Sequence, residues 1–321
     1  MTDQSEIPQW HVTEPYLNLH CLLGEGPYFE EATNTLRFVD IKKKQVHTVS
    51  LSDGPDSLKT VQLDLPVTVT ANIDGIDSQD KILIGVKYGI ALLDRKTGQY
   101  EYLAKFADGD DCDDSSARIR SNDGAADPHG RFWLGTMTDF GFGPFEPEGS
   151  LFKFDLVNKP ASSLLATSKE AREATRTGLT IPNSIGWSPD QKTMYFTHSS
   201  DRQMLAWDYG ADGSLSDERI FYQHPGAGEP DGFRVDTDGN VWHAVWGEGR
   251  IIKISPAGKV IGQVNLPTKH ITCCEFVGTE LFITSAEDDE GEGNSKRYGG
   301  GLFRVDVGAT GLAHYPVKLG A

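Results

Sequence analysis

Four short stretches set oxygen-bearing side chains beside glycine or proline. They are "GEGP" with Glu25, "RSNDG" with Arg120, Asn122 and Asp123, "IPNSIGW" with Asn183, and "EPDGF" with Asp231. Taken singly, each reads as a turn: Asn and Asp bond their own backbone there, and glycine adopts angles that other residues avoid. Pro27 adds to this by blocking continuation of a strand ladder. Recurrence at comparable strand ends argues instead for a concave chemical site built from carboxylates, amides and one guanidinium. The chain has no GxSxG, no HExxH and no phosphate loop. Serine hydrolase, zincin and nucleotide-binding chemistry therefore have little support.

The elements that must position these residues repeat along the chain. Polar turns open short β-rich stretches at 31–41, 77–86, 127–137, 188–199, 236–246 and 278–286, for example "DPHGRFWLGTM" and "DTDGNVWHAVW". Their starts lie roughly 40 to 60 residues apart, the range for one four-stranded propeller blade. Each is followed by a strand, a turn and another strand, with "DRKTGQ", "YGADGS" and "SPAGK" as hairpin signatures. Six openings and six hairpins predict an all-β fold, a six-bladed β-propeller with four antiparallel strands per blade. Closing the ring requires a strand from one terminus, and "PYLNLHCLL" (15–23) is the expected partner for the last blade. The chain reads as a single domain over residues 1–321, with 1–14 as a flexible or surface-lying segment. The stretch 162–175 is expected to form a short helix or a loop. The acidic runs 108–114 and 287–293 read as solvated loops, because neither has EF-hand spacing.

Composition narrows the partners. Thirty Lys and Arg against 47 Asp and Glu give a formal charge of −17, which repels nucleic acid and anionic membrane surfaces. The polar, acidic N-terminus lacks signal-peptide character and no run reaches membrane-span length. The four cysteines include the adjacent pair Cys273 and Cys274, which ordinary disulfide geometry does not bridge. These features predict reduced thiols, a cytoplasmic protein, Cys273 and Cys274 alternating on a packed strand, and a monomer.

Spread over nearly the whole length, "LLGEGP", "RSNDGAADPHGRFWLGTM", "IPNSIGWSPDQKTMYFTHS", "EPDGFRVDTDGNVWHAVWGEG" and "TCCEF" resemble the senescence marker protein (regucalcin)/gluconolactonase family of six-bladed propellers. The resemblance implies that Glu25, Asn183 and Asp231 bind one divalent cation and that Arg120 and Asn122 contact substrate. Two carboxylates and an amide oxygen form a hard oxygen set whose charge balances a divalent ion. Calcium is the leading expectation, with zinc, manganese, magnesium and ferrous iron as alternatives. Departures from the family pattern are Tyr28, His198 where Asp is frequent, and Phe140 where animal members carry an acid. His198 is expected to be a hydrogen-bonded strand-end residue. Trp133, Trp187 and Trp242 are expected in the core.

The resulting expectation is metal-dependent hydrolysis of a sugar lactone to the open-chain aldonic acid. The cation would polarise the carbonyl, Asp231 would serve as general base or as nucleophile, and Arg120 and Asn122 would hold the sugar lactone. The rival readings are a calcium-dependent hydrolase of organophosphate or aryl esters and a non-enzymatic calcium-binding propeller.

Overall fold

The computed structural model describes residues 7–107, 117–157 and 171–320. Six sheets follow one another along the chain, each built on antiparallel strands that run in sequence order from the centre outwards, with the N-terminal segment supplying the outermost strands of the fifth and sixth. The first blade comprises Gly24–Glu30, Thr35–Asp40, Gln45–Ser50 and Lys59–Gln62, and the second Val67–Ala71, Lys81–Val86, Gly89–Asp94 and Tyr100–Lys105. The third comprises Ile119–Ala126, Phe132–Thr138, Gly149–Phe154 and Arg172–Leu179. The fourth runs through Pro182–Trp187, Thr193–His198, Gln203–Tyr209 and Leu215–Gln223. The fifth is Glu229–Val235, Val241–Trp246, Arg250–Ile254 and Val260–Asn265. Ile271–Val277, Glu280–Ser285 and Gly301–Asp306 build the sixth.

The six-bladed propeller expected from the repeats is the fold observed. Leu17–Asn18 pairs with Gly301–Leu302 as the outer strand of the sixth blade, so the N-terminal segment closes the ring. Upstream, Gln9–His11 adds a fifth, parallel strand to the fifth blade against Gln263–Asn265. Residues 172–175, expected in a helix or loop, belong instead to the outer strand of the third blade. The antiparallel ladder to Gly149–Phe154 offers their backbone more hydrogen bonds than one isolated helical turn would. The rest of the 162–175 stretch, the acidic run 108–114 and Cys112 lie outside the described residues.

The recurrent opening turns have a common construction. In "DPHGRFW", Asp127 accepts the backbone N–H groups of His129 and Arg131 and the indole N–H of Trp133. In "DTDGNVW", Asp236 does the same for Asp238, Asn240 and Trp242. Gly130 and Gly239 supply φ of +93° and +82° at equivalent places. The second strand that follows is buried along its whole length in the third blade, because neighbouring blades cover both faces. Trp133, Trp187 and Trp242 all lie in the apolar layers between blades, as expected from sequence. Cys273 and Cys274 are likewise buried on the innermost strand of the sixth blade.

The C-terminal segment crosses one end of the ring. Gly311 bridges Asp236, Val317 bridges Ile73, and Lys318 N–H donates to Gly130 O. These contacts fall at the C-terminal ends of the innermost strands. The four motif stretches sit towards the N-terminal ends of theirs, so the segment covers the opposite mouth.

Candidate active site

Every innermost strand breaks its pairing with the second strand of its blade. The register skips between Glu25 and Tyr28, Val67 and Val69, Ser121 and Gly124, Pro182 and Ile185, Pro230 and Phe233, and Ile271 and Cys273. A bulge leaves residues unpaired and re-aims their side chains. Asn122, Asn183 and Asp231 are the first unpaired residues of the third, fourth and fifth blades, and Glu25 directly precedes the skip in the first. The motif glycines make this geometry possible. Gly26 sits at φ +53°. At Gly232, a Cβ would lie 2.4 Å from Cys273 Sγ and 2.8 Å from its Cα, so only glycine lets the fifth and sixth blades meet beside Asp231.

Glu25, Arg120, Asn122, Asn183 and Asp231 line one cavity of about 240 Å³. Asn183 Nδ2 donates to Asp231 Oδ1 and, at 3.2 Å, to Ser199 Oγ. Its Oδ1 accepts from Ser184 N–H at 3.0 Å, which leaves that oxygen a second lone pair. Arg120 Nη1 donates to Ser121 O at 2.7 Å and to Asn122 Oδ1 at 2.9 Å, and Asn122 Nδ2 reaches Pro182 O at 2.8 Å. The third and fourth blades are thus tied together at the cavity. Arg120 Nε is buried with no hydrogen-bond acceptor among the described residues.

The electrostatics are unfavourable without a positive partner. Burial pushes the Glu25 carboxyl well above the usual range, and the Asp231 and Asp123 charges push it further. Burial acts on Asp231 in the same sense, assisted by Asp123 and Glu229 and opposed by the Asn183 hydrogen bond. Asp123 lies one layer below, accepting from Ser184 Oγ at 2.5 Å, and its carboxyl is also raised by burial. Burying like-charged carboxylates together is costly, and a cation bound among them offsets that cost. Glu25, Asp231 and the remaining lone pair of Asn183 Oδ1 suit a hard divalent ion. Among the described residues no three His, Cys, Asp and Glu side chains form a ready-made metal cluster, so such an ion depends on the Asn183 amide.

The departures noted in the sequence take defined places. Phe140 lines the cavity with its ring 4.3 Å from Arg120 Cζ. Next to it, Asp139 pairs with Lys87 Nζ at 2.6 Å and stands 3.9 Å from Arg120 Nε, so a carboxylate is still present one residue earlier. His198 is held at its strand end by Asp201 at 2.8 Å and accepts Thr180 N–H at 3.1 Å. Tyr28 lies under the cavity floor, stacked on His314 with centroids 3.9 Å apart.

The sequence reading missed Ile41, Lys42, Ile181, Glu229 and Trp246, which also line the cavity. A usable signal was present. Second strands run antiparallel to the innermost ones, so residues at or just after their ends, such as Ile41, Lys42, Phe140 and Trp246, return to the same mouth.

Residues 23–287 match the SMP-30/Gluconolactonase/LRE-like region. The chain belongs to this family. The pentonolactonase XacC of Haloferax volcanii is 32% identical over 319 residues, covering 94% of this chain and 97% of the relative. A solved structure of regucalcin, a calcium-binding protein from Agrobacterium tumefaciens, superposes with a TM-score of 0.81 at 25% identity, over 97% of this chain and 98% of that one. A luciferin-regenerating enzyme superposes with a TM-score of 0.80 at 29% identity, over 95% and 99% of the two chains. Among the described residues no helix is long and apolar enough to cross a membrane.

Proposed function

We propose that this protein hydrolyses a sugar lactone to the open-chain acid at a divalent-cation site formed by Glu25, Asn183 and Asp231. The observation that carries the reading is the convergence of these three residues, from the first, fourth and fifth blades, on one cavity with Arg120 and Asn122. Membership of a family that includes a pentonolactonase supports the substrate class.

A bound divalent cation supplies Lewis-acid polarisation of the carbonyl and acidification of water at the site. Asp231 is the general base: Asn183 holds its Oδ1, and the carboxylate takes a proton from the attacking water. The water oxygen bonds to the carbonyl carbon, the ring C–O bond breaks, and the ring oxygen leaves as a hydroxyl after protonation. The product is a hydroxy acid that ionises at neutral pH. Arg120, braced by Asn122 and Ser121 O, orients the ring with its guanidinium, and Asn122 fixes that guanidinium in turn.

The test is a pH-drop assay over a panel of sugar lactones, using chelated protein with single divalent cations restored. Hydrolysis is expected to disappear on chelation and to return with the cation. Asp231→Asn is expected to lower kcat by about 10²- to 10⁴-fold. Near wild-type turnover by that variant would overturn the assignment.

A further inference from the structure

The cavity has an unusual distribution of polarity. Its buried polar groups are Glu25, Arg120, Asn183, Ser199 and Asp231, with Met137 and Pro230 buried among them. Its upper wall is apolar on several sides at once: Leu23 and Ile41 from the first blade, Phe140 and Phe145 from the third, Ile181 leading into the fourth, and Trp246 from the fifth. These side chains are partly exposed, apart from buried Ile41, and Phe145 reaches 40% exposure. Two charged side chains stand beside this wall: Lys42, which is exposed and lies 5.6 Å from the Phe140 ring centroid, and Glu229, which is partly exposed on the fifth blade. A substrate whose carbonyl points down to the carboxylates therefore presents its far end to hydrocarbon.

A fully hydroxylated hexonolactone fits this wall poorly. Its terminal hydroxymethyl group would exchange water for Phe140, Ile181 and Trp246, with few partners for the hydroxyl. A hydroxyl that loses hydrogen bonds on burial is penalised, whereas a methyl group at the same place gains from burial. Phe140 contributes twice, since its ring both forms the wall and supports the Arg120 guanidinium from one face.

We propose that the pocket selects a lactone carrying methyl, rather than hydroxymethyl, at the end remote from the carbonyl: a deoxy-sugar lactone. Phe140 is the specificity-determining residue. This rests on the lactonase reading above and adds the substrate class to it.

The experiment uses matched pairs of 1,4-lactones of the galacto, manno and gluco series, each with and without the 6-hydroxyl, hydrolysed by the cation-loaded protein. The 6-deoxy member is expected to have a kcat/KM higher on the order of 10-fold in at least one series, expressed mainly in KM. Phe140→Gln, which offers the hydroxyl a partner, is expected to narrow that ratio to about threefold or less, while Phe140→Leu keeps it. The readout is a ratio within one preparation, so a variant that folds poorly lowers both members alike. Equal or better use of the hydroxymethyl member in every series, with hydrolysis evident, overturns the deoxy preference and leaves the lactonase reading standing. A ratio unmoved by Phe140→Gln overturns the role of Phe140. No hydrolysis of any member, with cation restored, overturns the lactonase reading and the preference built on it.

Discussion

Replacing Glu25 by Gln tests the proposed cation site without relying on activity. Glu25 is buried, and its carboxyl is raised first by burial and then by the charges of Asp231 and Asp123, with the Gly26 N–H and Arg120 pulling the other way. As an order of magnitude, two like charges sharing one small cavity at roughly 5–7 Å, with an effective dielectric constant near 20, repel by about 2–3 kcal/mol. Gln keeps the acceptor that Gly26 N–H reaches at 3.0 Å, so the substitution removes charge and little else. Chelated Glu25→Gln is therefore expected to be more stable than chelated wild type at pH 8 by about 2–3 kcal/mol, or roughly 3–4 °C in a chain of this size. The sign with pH follows from linkage. A carboxyl with a raised folded pKa contributes stability that is fully present below its unfolded pKa and is lost as pH rises through the folded value. The advantage of the variant should thus shrink towards zero near pH ~4–5. Adding calcium at about 100 times its dissociation constant should stabilise wild type by about 2.7 kcal/mol. The variant should gain under ~1 kcal/mol from the same addition, having lost a ligand. Thermal shift at both pH values, with chelator and with calcium, reads all of these. Chelated Glu25→Gln no more stable than chelated wild type at pH 8, or equal calcium gains for the two proteins, would refute the reasoning.

Gly232→Ala should destabilise by about 1–3 kcal/mol in urea titration and lower kcat, because its Cβ would meet Cys273 Sγ at 2.4 Å beside Asp231. Arg120→Lys should lower kcat/KM by on the order of 10²-fold, measured with the best lactone, since lysine lacks the planar guanidinium that stacks on Phe140 and keeps further N–H donors free while Nη1 bonds Ser121 O and Asn122 Oδ1. Burial pulls the His47 imidazole down to about 4 from an ordinary value of 6.5. The unfolded chain therefore takes up that proton first, and the stability His47 contributes is lost as pH falls from about 6.5 to 4. His47→Leu should reduce the difference between urea midpoints at pH 7.5 and 4.5, leaving the share due to other buried histidines.

Much of the architecture was legible because a propeller repeats its local chemistry. The Asp–Gly–Trp turns at 127–133 and 236–242 announce both a blade boundary and the strand that follows. The closing strand at 17–18 could be inferred from the topology of a ring alone. The four stretches that supply the cavity floor were visible for a different reason: glycine and proline are needed where the ladder skips. Residues of the mouth were less visible. Ile41, Ile181 and Trp246 look like ordinary strand-end hydrophobes, and only the three-dimensional return of second strands to the same mouth separates them from core. Residues 172–175 were misread because a segment rich in helix formers was captured by the free edge of Gly149–Phe154, so tertiary pairing outweighed propensity.

The route by which Glu25 reaches the cavity links ring closure to the site. Leu17–Asn18 completes the sixth blade, and within a few residues the same chain enters the innermost strand of the first at Gly24. The connection is clamped at both ends. Cys21 N–H donates to Gly300 O at 2.9 Å in the sixth blade, while Leu22 and Leu23 N–H donate to buried Asp40 at 2.8 and 3.2 Å in the first. Thr272 Oγ1 then holds Gly24 O at 2.6 Å from across the blade boundary. A displacement of the closing strand must therefore pull on Gly24 and Glu25 before it disturbs Asn183 or Asp231, which stand on blades joined by continuous chain. Asn183 and Asp231 meet across the boundary of two consecutive blades, whereas Glu25 reaches them from a blade that follows the ring closure. The approach of Glu25 to Asn183 and Asp231 is thus coupled to closure of the ring.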